Sequence, residues 1–189
     1  MGKTTVMNKL SKMFPEAVYF DADKVVSGLL TKTDFSLKVN KIFGNESLTE
    51  SGEINRTYIR ERIFDSVDQR VKLENITHPE VNKEYIQTRQ KAVIDKKNIL
   101  FADIPLLFET NSRYESDYTL VVATDAKTQI ERLMNRPKMK SHLALKIIDA
   151  QMDIKKKIDL SDKVIWNCGN QYQLNKQIDY FASWLRKKI

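Results

Sequence analysis

Four short apolar runs, separated by helical patterns, constrain the fold of this 189-residue chain more than any other feature. Each run is continuous and lacks polar alternation, as expected for strands that are covered on both faces of a parallel sheet. The runs are AVYF (17–20), NILFADI (98–104), YTLVVA (118–123) and KVIW (163–166). Strands that alternate with helices predict an α/β fold, in which a parallel sheet carries helices on both sides.

One long segment, residues 34–97, interrupts this alternation because it is charged and mostly helical in pattern. We predict a helical insertion there, within a single domain that spans residues 1–189. Such an insertion often carries substrate specificity, and a helix pair without a functional role is an equally open interpretation. After the last strand we predict a helix that buries one apolar stripe, formed by Leu174, Ile178, Phe181 and Leu185.

Composition narrows the class of protein. The chain is 41% hydrophobic and 30% charged, which is typical of a globular protein, and no apolar run approaches the roughly 20 residues of a membrane helix. The net charge of +7 attracts anions. Nucleic acid is one candidate anion. However, the basic residues are dispersed, with short runs at 155–157 and 186–188 that we interpret as solvated helix faces, and a site for phosphorylated small molecules explains the charge equally well. The single cysteine, Cys168, and the absence of a signal-peptide pattern predict a cytoplasmic protein.

The residues Gly2-Lys3-Thr4-Thr5 match the end of the phosphate-binding pattern G-x-x-x-x-G-K-[ST]. In a complete loop, backbone N–H groups surround the phosphates, the lysine reaches the β- and γ-phosphates, and the next hydroxyl binds Mg²⁺. The triplet G-K-T is common by chance. However, the residues that follow form an amphipathic helical pattern, and a helix N-terminus stabilises anions. We therefore predict a phosphate site at the start of the chain.

Carboxylates follow two of the predicted strands. Asp21 and Asp23 come directly after AVYF, and Asp103 ends NILFADI. Ligands of open α/β sheets bind at the carboxyl ends of the strands, where such an acid can orient a hydroxyl group or accept its proton. Asp21 could equally cap the next helix, which leaves Asp23 to act on a substrate. Asp103 is similar to the acid that holds Mg²⁺ near a phosphate loop, and a structural aspartate is the open alternative.

His78 is a further candidate, because it precedes Pro79 in the stretch ENITHPEV. We predict that the pair lies at a loop-to-helix junction, with Pro79 in the first helical turn. A single histidine is more often structural than catalytic, so this position alone does not establish a site.

Taken in order along the chain, these segments resemble the dephospho-coenzyme A kinase family. The resemblance covers nearly the whole chain, and the motifs DAD, HP and PLLFE at these separations form a specific set. It is carried by GKTTV, DADKVV, IRERIF, ITHPEV, DIPLLFE, TQIERLMNR, IIDAQM and LSDKVIWNCGN. The resemblance implies a P-loop kinase fold, with a three-layer arrangement of a parallel sheet flanked by helices, a helical substrate lobe and a small lid over residues 136–160.

The implied reaction transfers the γ-phosphoryl group of ATP, with Mg²⁺, to the ribose 3′-hydroxyl of dephospho-coenzyme A. The implied catalytic residues are Lys3, Asp23 and Arg136. The nucleotide is assigned to Gly2, Lys3, Thr4, Thr5, Asn167 and Gly169, and Mg²⁺ to Thr4 and Asp103. The substrate is assigned to Asp21, Arg60, Arg62, His78 and Pro105. The expected partner is this small molecule alone, without nucleic acid or membrane, in a monomer or weak homo-oligomer.

The chain departs from the family pattern at its beginning. The first glycine of the phosphate pattern would lie before Met1, and so would the strand that precedes it. We expect that strand to belong between the runs at 98–104 and 118–123, and we expect the chain as given to bind ATP weakly. Two other functions stay open: another small-molecule P-loop kinase, such as a nucleoside or nucleotide kinase, and a non-catalytic relative.

Overall fold

A computed structural model of the chain describes residues 1–109, 114–135, 148 and 151–189. The strands are β1 (Val18–Asp21), β2 (Leu100–Asp103), β3 (Leu120–Ala123) and β4 (Lys163–Trp166). The helices before β2 are α1 (Lys3–Met13), α2 (Ala22–Leu29), α3 (Thr33–Phe43), a 3₁₀ turn (Asn45–Ser47), α4 (Arg56–Asp65) and α5 (Val67–Ile94). The helices after β3 are α6 (Ala126–Met134), α7 (Ile154–Asp159) and α8 (Gln171–Arg186).

The strands confirm all four apolar runs and their parallel direction. β1 pairs with β2 from Val18↔Leu100 to Asp21↔Asp103, and β3 pairs with β4 from Leu120↔Lys163 to Ala123↔Trp166. Among the described residues these are two separate two-stranded sheets, not one continuous sheet. The prediction that a further strand belongs between β2 and β3 stays a prediction.

Two hydrophobic cores accompany the two strand pairs. The first lies between α1, the β3–β4 pair and α8, and it includes the whole predicted C-terminal stripe: Leu174, Ile178, Phe181 and Leu185. The second lies between β1 and the helices α2 to α5, around Phe20, Phe35, Val39 and Tyr85. Since α1 packs in the first core while its first residue reaches β2, this helix connects the two halves of the molecule.

The segment that we predicted as a helical insertion lies between β1 and β2, and it is helical. It contains α3, the 3₁₀ turn, α4 and α5. Our placement of His78 and Pro79 at a loop-to-helix junction is wrong, because α5 continues through Pro79 from Val67 to Ile94. A proline removes one helical hydrogen bond and usually interrupts a helix. Here the following turns bury Val81 and Tyr85 in the second core, so packing outweighs the local signal.

Much of the predicted lid, residues 136–160, lies outside the described residues. Its described part includes α7, which packs against β3. In the part of the chain that the structure describes, no helix combines the length and the apolar character needed to cross a membrane.

Candidate active site

An ion pair brings the start of the chain to the carboxyl end of β2. Gly2 precedes α1 in a left-handed conformation, with φ of 95°, and α1 begins at Lys3. The Lys3 Nζ atom lies 2.7 Å from Asp103 Oδ1, although the two residues are 100 positions apart in sequence. The structure therefore places the predicted phosphate lysine beside the predicted metal carboxylate.

Asp21 and Asp103 lie opposite each other in the parallel register of β1 and β2. Asp21 also caps α2, because its Oδ1 accepts a hydrogen bond of 3.0 Å from the Lys24 amide. The capping role considered for Asp21 is thus confirmed, and it fixes where α2 begins. Asp23 lies in the first turn of this helix, and its carboxylate is not used by the cap.

The surroundings of Asp23 change its acidity. The neighbouring protein atoms remove part of its hydration and raise the pKa of its carboxyl group above the ordinary value of 3.8. The charge of Lys3 lowers this pKa, while the charges of Asp21 and Asp103 raise it. The four residues are therefore one electrostatic group, which we call the Lys3–Asp23 cluster: Lys3, Asp21, Asp23 and Asp103. A carboxylate with a raised pKa is a better proton acceptor than an ordinary one.

A second contact connects the start of the chain with the end of β4. The buried side chain of Asn167 donates a hydrogen bond from Nδ2 to the carbonyl oxygen of Met1, at 3.0 Å. A Cβ atom on Gly2 would lie 2.2 Å from the same Nδ2 atom. Gly2 is therefore required by its left-handed φ and by this close approach. The two predicted nucleotide segments, Gly2–Thr5 and the loop after β4, are adjacent.

The first turn of α1 offers donors for an anion. No side chain caps this helix, and Thr4 and Thr5 are exposed in its first turn. The first amides of an uncapped helix point outward and favour a negative charge.

Gly169, in the loop after β4, is a glycine for a structural reason. A Cβ atom there would lie 1.8 Å from Oε1 of Gln173, whose side chain closes the capping box of α8. Its predicted contact with a nucleotide stays a prediction.

The remaining predicted site residues do not belong to the Lys3–Asp23 cluster. Arg60 and Arg62 are exposed on α4, where Arg62 stacks on the Tyr58 ring and lies 3.8 Å from Glu46. In the described residues, no hydrogen bond or ion pair joins either arginine to the Lys3–Asp23 cluster. His78 lies in the middle of α5, and Pro105 starts the turn after β2. Arg136 lies outside the described residues.

The oxygen atoms at this site are of the type that Mg²⁺ binds. In the described part of the chain, no group of three or more His, Cys, Asp or Glu residues is arranged to hold a metal ion by itself. Mg²⁺ commonly uses only one or two protein oxygens and completes its shell with substrate phosphates and water. The Asp103 carboxylate and the hydroxyl of Thr4, the residue after Lys3 in the first turn of α1, are oxygen donors of the kind that this smaller requirement needs.

The structure contains a buried ion pair that the sequence analysis did not predict. We interpreted the basic run 155–157 as a solvated helix face, which is wrong for Lys157 because this residue is only 5% exposed. Its Nζ atom lies 2.6 Å from Oε1 of Glu109, the last residue of PLLFE. No local pattern indicates that a lysine in a basic run has a partner 48 residues earlier. The same interpretation is correct for its neighbours Lys155 and Lys156, which are exposed.

This chain is similar in sequence to proteins of one known family, which agrees with the geometry of the site. The dephospho-CoA kinase family model matches residues 1–173. A dephospho-CoA kinase from Fusobacterium nucleatum is 33% identical over 181 residues, which cover 96% of this chain and 91% of that protein. A dephospho-CoA kinase domain-containing protein from Danio rerio is 34% identical, over 94% of this chain and 77% of that protein.

Two solved structures have the same fold as this chain. The crystal structure of TT1252 from Thermus thermophilus superposes with a TM-score of 0.78 at 23% identity, over 97% of this chain and 92% of that one. The dephospho-CoA kinase from Campylobacter jejuni gives a TM-score of 0.69 at 26% identity, over 99% and 92%. The P-loop kinase fold that the sequence predicted is confirmed. The chain belongs to the dephospho-CoA kinase family, whose members are transferases that phosphorylate an alcohol group.

Proposed function

We propose that the Lys3–Asp23 cluster transfers the γ-phosphoryl group of ATP to the ribose 3′-hydroxyl of dephospho-coenzyme A. The observation that carries this proposal is the meeting of one lysine and three carboxylates at the carboxyl ends of β1 and β2. The N-terminus of α1 adds amide donors at the same place. Phosphoryl transfer needs alignment and positive charge more than covalent help from the protein.

The start of α1 binds the phosphates in this proposal. Lys3 is 40% exposed at its side chain, so its ammonium group is open to an incoming anion. When ATP binds, Lys3 exchanges its contact with Asp103 for the β- and γ-phosphates. Asp103 and Thr4 would hold Mg²⁺, which would supply positive charge against the phosphates.

Asp23 binds the acceptor hydroxyl and takes its proton. Its raised pKa favours proton uptake, while the opposite charge of Lys3 lowers this pKa and stabilises the ionised form that accepts the proton. Asp21 cannot easily replace it, since Asp21 already caps α2. The two acids of DAD therefore have separate roles, one structural and one chemical.

The pH dependence of kcat/KM reports on Asp23 directly. We expect its acid limb to have a midpoint above 3.8, because burial raises the Asp23 pKa and the protonated acid cannot accept the hydroxyl proton. Asp21→Asn preserves a good helix cap but removes a negative charge, which lowers the Asp23 pKa, so the midpoint moves to lower pH. A pH–rate profile of both proteins, with Asp179→Asn as a surface control, measures this. An upward shift in the Asp21 variant contradicts the assignment.

Arg136 is the predicted cation of the lid. We expect Arg136→Ala to lower the transfer rate more than it weakens ATP binding, since an added positive charge acts mainly when charge moves in the transition state. Single-turnover rates and calorimetric ATP affinities measure the two effects separately. The control is Arg89→Ala, which removes an exposed arginine that pairs with Glu115. Equal losses in rate and affinity indicate a uniform binding contact instead.

A panel of acceptors tests the proposed function. The protein is incubated with ATP and Mg²⁺ and with dephospho-coenzyme A, adenosine, nucleoside monophosphates or water as the acceptor. We expect transfer to dephospho-coenzyme A to exceed the others by at least about 10²-fold, because acceptors that lack the groups the site binds lose transition-state binding energy. Preference for a nucleoside indicates another small-molecule kinase, and ATP binding without any transfer indicates a non-catalytic relative.

The proposed location is the cytoplasm and the proposed assembly is a monomer or weak homo-oligomer.

A further inference from the structure

A buried ion pair outside the Lys3–Asp23 cluster joins two distant segments. Glu109 Oε1 lies 2.6 Å from Lys157 Nζ, and the two side chains are only 16% and 7% exposed. The same oxygen also accepts a hydrogen bond of 2.9 Å from the amide of Met152. Glu109 thus binds the segment before α7 and α7 itself.

Stability alone does not account for this arrangement. The second carboxylate oxygen of Glu109, Oε2, is buried and has no hydrogen-bond partner in the described part of the chain. Removing two charges from water is costly, and apolar residues of similar volume often serve stability equally well. Buried ion pairs are better attested as devices that fix the relative position of the elements they join.

The Glu109–Lys157 pair lies between the two strand pairs. Glu109 lies in the turn that follows β2, and α7 packs against β3. The β1–β2 and β3–β4 pairs share no hydrogen bond in the described residues, so Glu109 ties one strand pair to a helix of the other. Each half carries part of the site. Asp23 and Asp103 follow the first pair, and Asn167 follows the second.

We propose that Glu109 is a positioning residue for phosphoryl transfer. By binding the Met152 amide and Lys157, it fixes the β3–β4 pair, which Asn167 follows, relative to the β1–β2 pair, which Asp23 and Asp103 follow. This inference rests on the proposed function, in which the start of α1 binds the nucleotide beside Asn167 and Asp23 binds the acceptor hydroxyl. A displacement of about 1 Å between reacting groups is enough to lower a rate by up to about 10²-fold.

The test removes both charges together, because a lone buried charge would destabilise the fold. The first variant is Glu109→Leu/Lys157→Met. The second is Glu109→Gln/Lys157→Met, which keeps an acceptor for the Met152 amide. We expect melting temperatures within about 4 °C of wild type and ATP dissociation constants within about threefold. We expect single-turnover rates to fall by about tenfold in the first variant and by about threefold in the second.

A matched control is Lys9→Met/Asp179→Asn. This pair is similarly short, at 2.7 Å, but it joins α1 and α8, which pack together in the first core, and in the described residues no hydrogen bond or ion pair joins it to the β1–β2 pair. It should leave the single-turnover rate unchanged. Wild-type rates in the Glu109 variants overturn the inference, and so does an equal loss in the control. If the leucine variant does not fold, the glutamine variant decides alone. Failure of wild type to phosphorylate dephospho-coenzyme A refutes the proposed function instead.

Discussion

We expect Asp23→Asn to lower the rate of phosphoryl transfer by about 10²-fold or more and to leave ATP affinity nearly unchanged. Asparagine keeps the shape of the side chain but cannot accept the proton of the hydroxyl group, and a general base contributes roughly 10²–10⁴-fold. In the proposed mechanism Asp23 binds the acceptor hydroxyl and the start of α1 binds ATP, so we expect the effect to fall on the rate. Single-turnover transfer to dephospho-coenzyme A and calorimetric titration with ATP measure the two quantities.

Asp21→Asn is the matched control, because it removes a carboxylate two residues away and keeps the cap of α2. This variant should retain most of the rate near neutral pH. If Asp23→Asn keeps more than about a tenth of the wild-type rate, Asp23 is not the base.

Lys3→Met is expected to have the second large effect, this time on ATP affinity and on the transfer rate together. Hydrogen bonds to charged groups contribute roughly 1.5–3 kcal/mol each, so losing one weakens ATP binding by about 10- to 10²-fold. The rate falls further because the lysine also stabilises charge that develops in the transition state. Asp103 also loses its partner at 2.7 Å.

The control for this variant is Lys12→Met, which removes an exposed lysine from the other end of the same helix. Calorimetry with ATP and single-turnover assays compare the two variants. Equal ATP affinities in both would mean that Lys3 does not contact the phosphates. Circular dichroism of each variant shows whether the helix itself is intact.

Local patterns were sufficient to predict the strands and the stripe of the last helix. Apolar runs such as KVIW (163–166) are short and continuous, so their burial on both faces could be inferred directly. The spacing of Leu174 and Ile178 likewise reports burial in one core. These features depend on residues that are close in sequence, so they can be inferred from the sequence alone.

Contacts between distant segments could be predicted only in part. The resemblance placed Lys3, Asp23 and Asp103 in one site, but the parallel register of Asp21 with Asp103 depends on how β1 meets β2. The continuation of α5 through Pro79 depends on the core that Val81 and Tyr85 enter. In each case the deciding energy comes from tertiary packing, which local propensities do not contain.

A structure of the protein with ADP, Mg²⁺ and dephospho-coenzyme A tests the central claim most directly. We predict that the ribose 3′-oxygen lies about 2.6–3.2 Å from a carboxylate oxygen of Asp23, which is the reach of a general base. We also predict that the β-phosphate lies at the first turn of α1 beside Lys3. A 3′-oxygen far from Asp23, or a phosphate bound away from Lys3, contradicts the account.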